Sequence, residues 1–278
     1  MPRDQNIIQE NYFLSPEFLA KEQEFFKSSN FTKITEEKDG VIIDVPYARN
    51  DNFCGIKLYS HPFIYAHQDT YQYLKILVKN LNEEGVKVKI FDGYRPYKIQ
   101  AFMAEKFPDF AEDGYVSHPI NGIATHVRGI ALDITLIKDG VELDMGMAFD
   151  SMSTKAHYIA KGLTEVQINN RKLLRDHMIK AGFEPFEKEW WHFNLPIFDK
   201  DKSGEIIGAL EKEDKKYPKI LDDFFELCSQ EINEFYSKKI LKYPNQPTAK
   251  NNPNKSCCCS FYKALTSFKK YFKTSNVK

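Results

Sequence analysis

The stretch His126-Val127-Arg128-Gly129-Ile130-Ala131-Leu132-Asp133-Ile134-Thr135-Leu136 constrains this chain more than any other. From Ile130 to Leu136, large apolar residues alternate with small or polar ones, the pattern of a strand with one face in a core. Ile130, Leu132, Ile134 and Leu136 share that face. Asp133 stands on the other, between Ala131 and Thr135, which leave room for a metal ion beside its carboxylate. A regular strand puts residues seven apart on opposite faces, so His126 meets Asp133 only if the chain turns between them. Gly129 is placed to allow that turn.

A second stretch, Glu189-Trp190-Trp191-His192, brings another imidazole and another carboxylate. Two imidazoles and one aspartate make a three-ligand set for a catalytic zinc, with a fourth position left for water. Glu189 can take the proton of such a water without binding the metal. Arg95 lies in Asp92-Gly93-Tyr94-Arg95-Pro96, a sharp turn at the end of a strand. A rigid Gly and Pro frame is one way to hold a guanidinium where an oxyanion forms. Each piece also has a plain structural reading, as a core histidine, a strand glutamate or a surface arginine. Their co-occurrence favours a zinc hydrolase of small peptides.

Lys+Arg and Asp+Glu both number 39, which argues against a general nucleic-acid binder, since backbone phosphates demand a basic excess. Hydrophobic residues at 42% and aromatics at 14% allow a well-filled core. The start lacks the basic-then-apolar pattern of a leader, and no apolar run approaches the ~20 residues of a membrane span. Five cysteines, three of them adjacent, do not read as a disulfide framework. A reducing cytoplasm is the expected location.

The chain divides into three parts. Residues 1–37 are a polar arm with one helix, opened by Ser15, Pro16 and Glu17, whose Phe18, Leu19, Phe25 and Phe26 can clasp the main domain. Residues 38–198 form that domain: a strand at Val41–Val45, a loop Tyr47–Gly55 whose Asn and Asp residues suit local backbone bonding, and a helix over Ala66–Leu81. A strand Val86–Phe91, a helix near Lys98–Lys106 and a loop over 107–125 follow. Asp139-Gly140 predicts a hairpin turn, and Thr164 and Glu165 open a helix to Lys180 closed by Gly182. His177 reads as a helix-face histidine, and Asp150 as either a capping residue or a contact for a substrate amine. Phe183–Pro185 and Trp190–Leu195 read as paired short strands. Residues 199–278 are a helical extension. It holds an amphipathic helix from Leu221 to Tyr236, a linker over 244–256, and a basic tail with Cys257, Cys258 and Cys259. That tail suits peripheral contact with an anionic membrane, docking on its own domain, or soft-metal binding.

Thr125–Asp133 together with Glu189–His192 resembles the motif pair of the zinc D-alanyl-D-alanine metallopeptidases. Within that family Asp92–Pro96, Asp51–Gly55 and Phe149-Asp150 look like the D-Ala-D-Ala dipeptidases of the vancomycin-resistance type, over roughly residues 40–198. The resemblance implies an α+β fold, a small antiparallel sheet with packed helices and a zinc cleft. It implies one Zn2+ held by His126, Asp133 and His192, Glu189 as general base and acid, and Arg95 stabilising the tetrahedral intermediate. Asp150 and Tyr47 match positions that hold the dipeptide, including its amino end. The family's serine two before the first ligand is Ala124 here, which leaves the neighbouring Thr125 as the polar residue beside the substrate. The implied reaction is hydrolysis of D-Ala-D-Ala to two D-alanines, the alternative being a D,D-carboxypeptidase acting on longer cell-wall peptides.

Overall fold

The computed structural model describes residues 16–119, 123–196 and 228–237. Expectations placed on Ser15, on Leu221–Glu226 and on the cysteine tail lie outside these.

The helix α1 (Pro16–Ser29) leads into β1 (Phe31–Ile34), a strand not foreseen in the arm. A short helix α2 (Glu36–Asp39) and β2 (Ile42–Ile43) follow, the strand being shorter than the apolar run suggested. β1 pairs antiparallel with β3 (Ile64–His67). That pairing explains why the helix expected from Ala66 starts two residues later, as α3 (Gln68–Asn82), with the His67 ring accepting the Asp69 N–H at its start. A strand partner from a distant segment leaves no mark in the helical periodicity of 66–81.

The main sheet holds β4 (Val86–Asp92), β5 (Ala131–Lys138), β6 (Val141–Glu142), β7 (Glu184–Pro185) and β8 (His192–Asn194). Its strand order is β2-β4-β5-β8-β7, with β6 closing the Asp139-Gly140 hairpin on β5. Every pairing is antiparallel except that of β2 with β4. α4 (Tyr97–Lys106) and α5 (Pro108–Glu112) lie between β4 and β5 in sequence. α6 (Glu165–Ala181) opens with a capping box of Thr164 and Gln167 and ends at Gly182 in the left-handed region. The last described helix is α7 (Gln230–Ser237).

One core cluster joins Leu74, Leu77 and Leu81 of α3 with Leu174 and Met178 of α6. It takes in Val88, Ile90, Leu132, Ile134 and Leu136 of the sheet. A one-residue slip of β5 would send its three large apolar side chains to the face of Asp133, and each is worth ~1.5–3 kcal/mol when buried. The apolar alternation therefore decides which way Asp133 points. A second cluster joins Phe18 and Phe25 of α1 to Phe31, Tyr65 and Tyr94. No helix among the described residues is long and apolar enough to cross a membrane.

Candidate metal centre

Three strands set a polar row across the sheet. Asp92 of β4 lies opposite Asp133 of β5, and Asp133 lies opposite His192 of β8. Cross-strand partners share a face, so the three side chains meet. A bulge makes this register: Ile90 pairs with Ile134, but the next pair is Asp92 with Asp133, which leaves Phe91 as the extra residue.

His126 joins the row through the turn that its spacing requires. His126–Arg128 is one turn of 3-10 helix, ended by Gly129 at φ +66°. A Cβ at Gly129 would also stand 2.4 Å from the Phe31 ring, so both backbone and packing demand glycine there. Gly93 is required for a different reason: a Cβ there would lie 2.6 Å from the Tyr65 carbonyl oxygen. The two turns are tied together, with Arg95 N–H donating to His126 O at 3.1 Å and the His126 Nδ1 atom 2.6 Å from Gly93 O.

These contacts fix the tautomers. A backbone carbonyl can only accept, so His126 carries its proton on Nδ1 and turns the bare Nε2 inward. His192 Nε2 lies 2.8 Å from the side-chain oxygen of Asn194, which likewise turns Nδ1 inward. Those two inner nitrogens are 3.1 Å apart, and Asp133 Oδ1 is 3.3 Å from one and 3.0 Å from the other. Three acceptors so close, with their own protons committed elsewhere, call for a cation. A tetrahedral zinc with bonds of about 2.0–2.1 Å has ligand-to-ligand edges of about 3.3–3.4 Å, close to the spacing found. Among the described residues, His126, Asp133 and His192 are the group suited to hold a metal ion, and all three are buried. Burial works against the charge of Asp133, and the two imidazoles outweigh it, holding the carboxyl below the usual carboxylate range. Burial likewise opposes the charge on His192, which Asp133 draws the other way, raising its pKa.

Glu189 does not occupy a regular strand. It sits in a turn, with His192 N–H donating to Glu189 O at 3.3 Å, and its Oε2 reaches within 3.8 Å of His192 Nδ1. Burial pushes its carboxyl up to about 7; His192 pulls back, Asp133 adds, and Arg95 pulls back. A carboxyl poised there can take and return a proton near neutral pH.

Arg95 is buried on the other side of Asp133, with Nη2 3.6 Å from Asp133 Oδ2. Asp92 accepts from its Nε at 3.0 Å and its Nη2 at 2.9 Å. Gln100 Oε1 and Met103 Sδ of α4 take Nη1 at 3.1 and 3.4 Å. The Tyr47 ring lies under the guanidinium, 5.1 Å from its carbon, and the Tyr47 hydroxyl donates to Asp150 Oδ1 at 2.9 Å. Asp150 Oδ2 is buried and has no hydrogen-bond partner among the described residues. Burial drives this carboxyl well above its ordinary pKa; Arg95 and the Tyr47 hydrogen bond oppose that, while Asp133 and Glu189 reinforce it. Thr125 is buried in the turn ahead of His126, and its carbonyl accepts from Arg128 and Ile130.

Sequence reasoning missed the supporting residues Asp92, Gln100, Met103 and Asn194. Asn194 carried one signal: two positions after a histidine in a strand, it shares that histidine's face. The loop residue Asn52 serves the backbone, as its composition suggested, donating to the carbonyls of Pro46, Arg49 and Ile56 and accepting from Cys54 N–H. His177 faces Glu84 at 3.2 Å and belongs to the packing of α3 and α6.

A sheet that gathers two imidazoles, an aspartate and a nearby glutamate has the donor set of a metal-dependent hydrolase. The chain belongs to the D-ala-D-ala dipeptidase family of M15 peptidases, which it matches over residues 27–202, and it is a peptidase. It is 34% identical over 155 residues to the D-alanyl-D-alanine dipeptidase of Escherichia coli (strain K12), covering 55% of this chain and 78% of that protein. It is 30% identical over 184 residues to the D-alanyl-D-alanine dipeptidase of Enterococcus faecium, covering 59% and 91% respectively. Among solved structures, it is similar to the vancomycin-resistance D,D-pentapeptidase VanY in complex with Zn(II). That likeness has 19% identity, a TM-score of 0.30, and coverage of 64% of this chain and 93% of that one.

Proposed function

We propose that this peptidase is a zinc-dependent dipeptidase that hydrolyses D-Ala-D-Ala to two D-alanines. The observation that carries the reading is the meeting of three inward acceptors with the buried Glu189 carboxyl, whose Oε2 lies 3.8 Å from His192 Nδ1. His126, Asp133 and His192 would hold the ion. When bound, zinc supplies an acidified water and polarises the scissile carbonyl.

The chain's own groups do the rest. Glu189 takes the water's proton and returns it to the departing amine. Arg95, fixed by Asp92, Gln100 and Met103, presents a positive charge to the oxygen on which negative charge grows. Asp150 and Tyr47 receive the substrate's ammonium group, and Thr125 lies beside its carboxylate end. The orphaned Oδ2 of Asp150 favours a free amine over the acylated nitrogen of a longer peptide, since a buried acceptor of this kind gains most from a charged donor. That supports the dipeptidase over the D,D-carboxypeptidase alternative.

The test is product analysis on the LL, DL, LD and DD alanyl dipeptides and on N-acetyl-D-Ala-D-Ala, with metal content measured on the same protein. The expected result is stoichiometric zinc, two alanines from the DD dipeptide, and little turnover of the acetylated compound. Absence of zinc, or preferred cleavage of the acetylated compound, would overturn the assignment.

A further inference from the structure

Cys228–Ser237 lies beyond the stretch matched by the family, yet it is built into the core around the site. Cys228 bridges antiparallel to Tyr59. Ser229 N–H donates to Leu58 O at 2.8 Å, and its hydroxyl to Lys57 O at 2.7 Å. Ile232 of α7 is fully buried, the Phe235 ring meets Phe102 of α4 edge-on at 5.1 Å, and Lys106 Nζ lies 4.8 Å from the same ring centre.

Both points of attachment lead to Arg95. Tyr59, paired to Cys228, donates from its hydroxyl to Asp92 Oδ1 at 2.8 Å, and the other oxygen of Asp92 grips the guanidinium. The helix α4, on which Phe235 packs, carries Gln100 and Met103, which take the remaining side of Arg95. The guanidinium is thus held from two directions, and this one segment touches the support of each.

We propose that Cys228–Ser237 is a brace that positions Arg95, acting through Tyr59 and Asp92 on one side and through Phe102 and α4 on the other. Ser229, Ile232 and Tyr59 are positioning residues. The inference rests on the role of Arg95 given above. Every link is short and buried or partly buried, and none of the brace residues is itself a donor of the metal centre, so freeing the brace acts first on the guanidinium. A reacting group misplaced by about 1 Å can lose on the order of 100-fold in rate.

The experiment uses the full zinc-loaded chain with Ser229→Ala/Ile232→Asp, the milder Ser229→Ala/Ile232→Ala should the aspartate prevent folding, and Tyr59→Phe. Each is expected to lower kcat on D-Ala-D-Ala by about 10- to 100-fold with KM within about twofold. Combining Tyr59→Phe with the brace variant should add little, and neither should add to Arg95→Ala. The Arg95 Nε–H, read by 15N NMR, should exchange slowly in the parent and at least ~10-fold faster in the brace variants. Folded brace variants with parental kcat and slow Nε–H exchange would overturn the proposal, as would an effect that multiplies in full on Arg95→Ala. A parent chain inactive on D-Ala-D-Ala would overturn the functional reading instead, and the NMR measurement would still decide the brace.

Discussion

Arg95 is buried and Asp150 half-buried, both are charged in their ordinary state and both are touched by Tyr47, yet they are finished to different degrees. Asp92, Gln100 and Met103 surround Arg95, and these contacts, with the nearby acidic groups, hold its charge in place against burial. Asp150 has one oxygen on Tyr47 and the other bare, in backbone at φ +63° that few side chains adopt. A surrounded charge is preorganised: it does not have to move as the transition state forms. The Oδ2 atom of Asp150 is buried without a hydrogen-bond partner among the described residues, and burial raises the carboxyl's pKa. On the proposed function, Arg95 serves the reaction and Asp150 the ligand.

The largest effect belongs to a third group, the buried Glu189. Glu189→Gln should lower kcat by about 10²–10⁴ while the zinc content stays parental. The same change should stabilise the metal-free protein. Below pH 4.5 the carboxyl is neutral in both folded and unfolded chains, and the substitution changes nothing. As pH rises from 4.5 to about 7 only the unfolded chain ionises, so the parent loses stability. Above about 7 the gap is complete, up to ~3 kcal/mol in favour of the variant. Denaturant melts at pH 4 and pH 8 check this, and equal stability at both would mean that Glu189 is not held in an unfavourable place.

Arg95→Ala should cost about 10²–10³ in kcat, alike for every substrate the enzyme accepts. Steady-state kinetics that show a rise in KM with kcat intact would place Arg95 with the ligand-binding groups and erase the contrast. Asp150→Asn should cost about 10- to 100-fold in kcat/KM on the free dipeptide, the worth of one hydrogen bond to a charged group. It should leave the slow turnover of N-acetyl-D-Ala-D-Ala unchanged. Equal losses on both compounds would show that Asp150 supports the fold rather than reading the amine.

Much of the site was legible before the fold. Asp133 between Ala131 and Thr135 was readable because alternation has a period of two, and the apolar run leaves a slip no cheap alternative. The turn at Gly129 followed from the parity of the strand, and the chain makes it at φ +66°. Glu189 could not be placed in the same way, because Glu and His three apart on a strand point to opposite faces. A turn between Glu189 and His192 overrides the strand there. The partner of β3, the bulge at Phe91 and the attachment of α7 were also closed to sequence reading. Each depends on contact between segments far apart in the chain, whose register no local periodicity records.

What the sequence by itself determined is the chemistry on offer: which imidazoles, which carboxyls, which guanidinium, and the face of β5 that carries Asp133. Those follow from residue type and short-range pattern, properties that survive without a partner. Only the tertiary structure decided that the donors meet with their bare nitrogens inward, that Arg95 is gripped from two sides, and that Asp150 keeps one oxygen bare. These are distances between remote segments, and they are set by how a whole core closes.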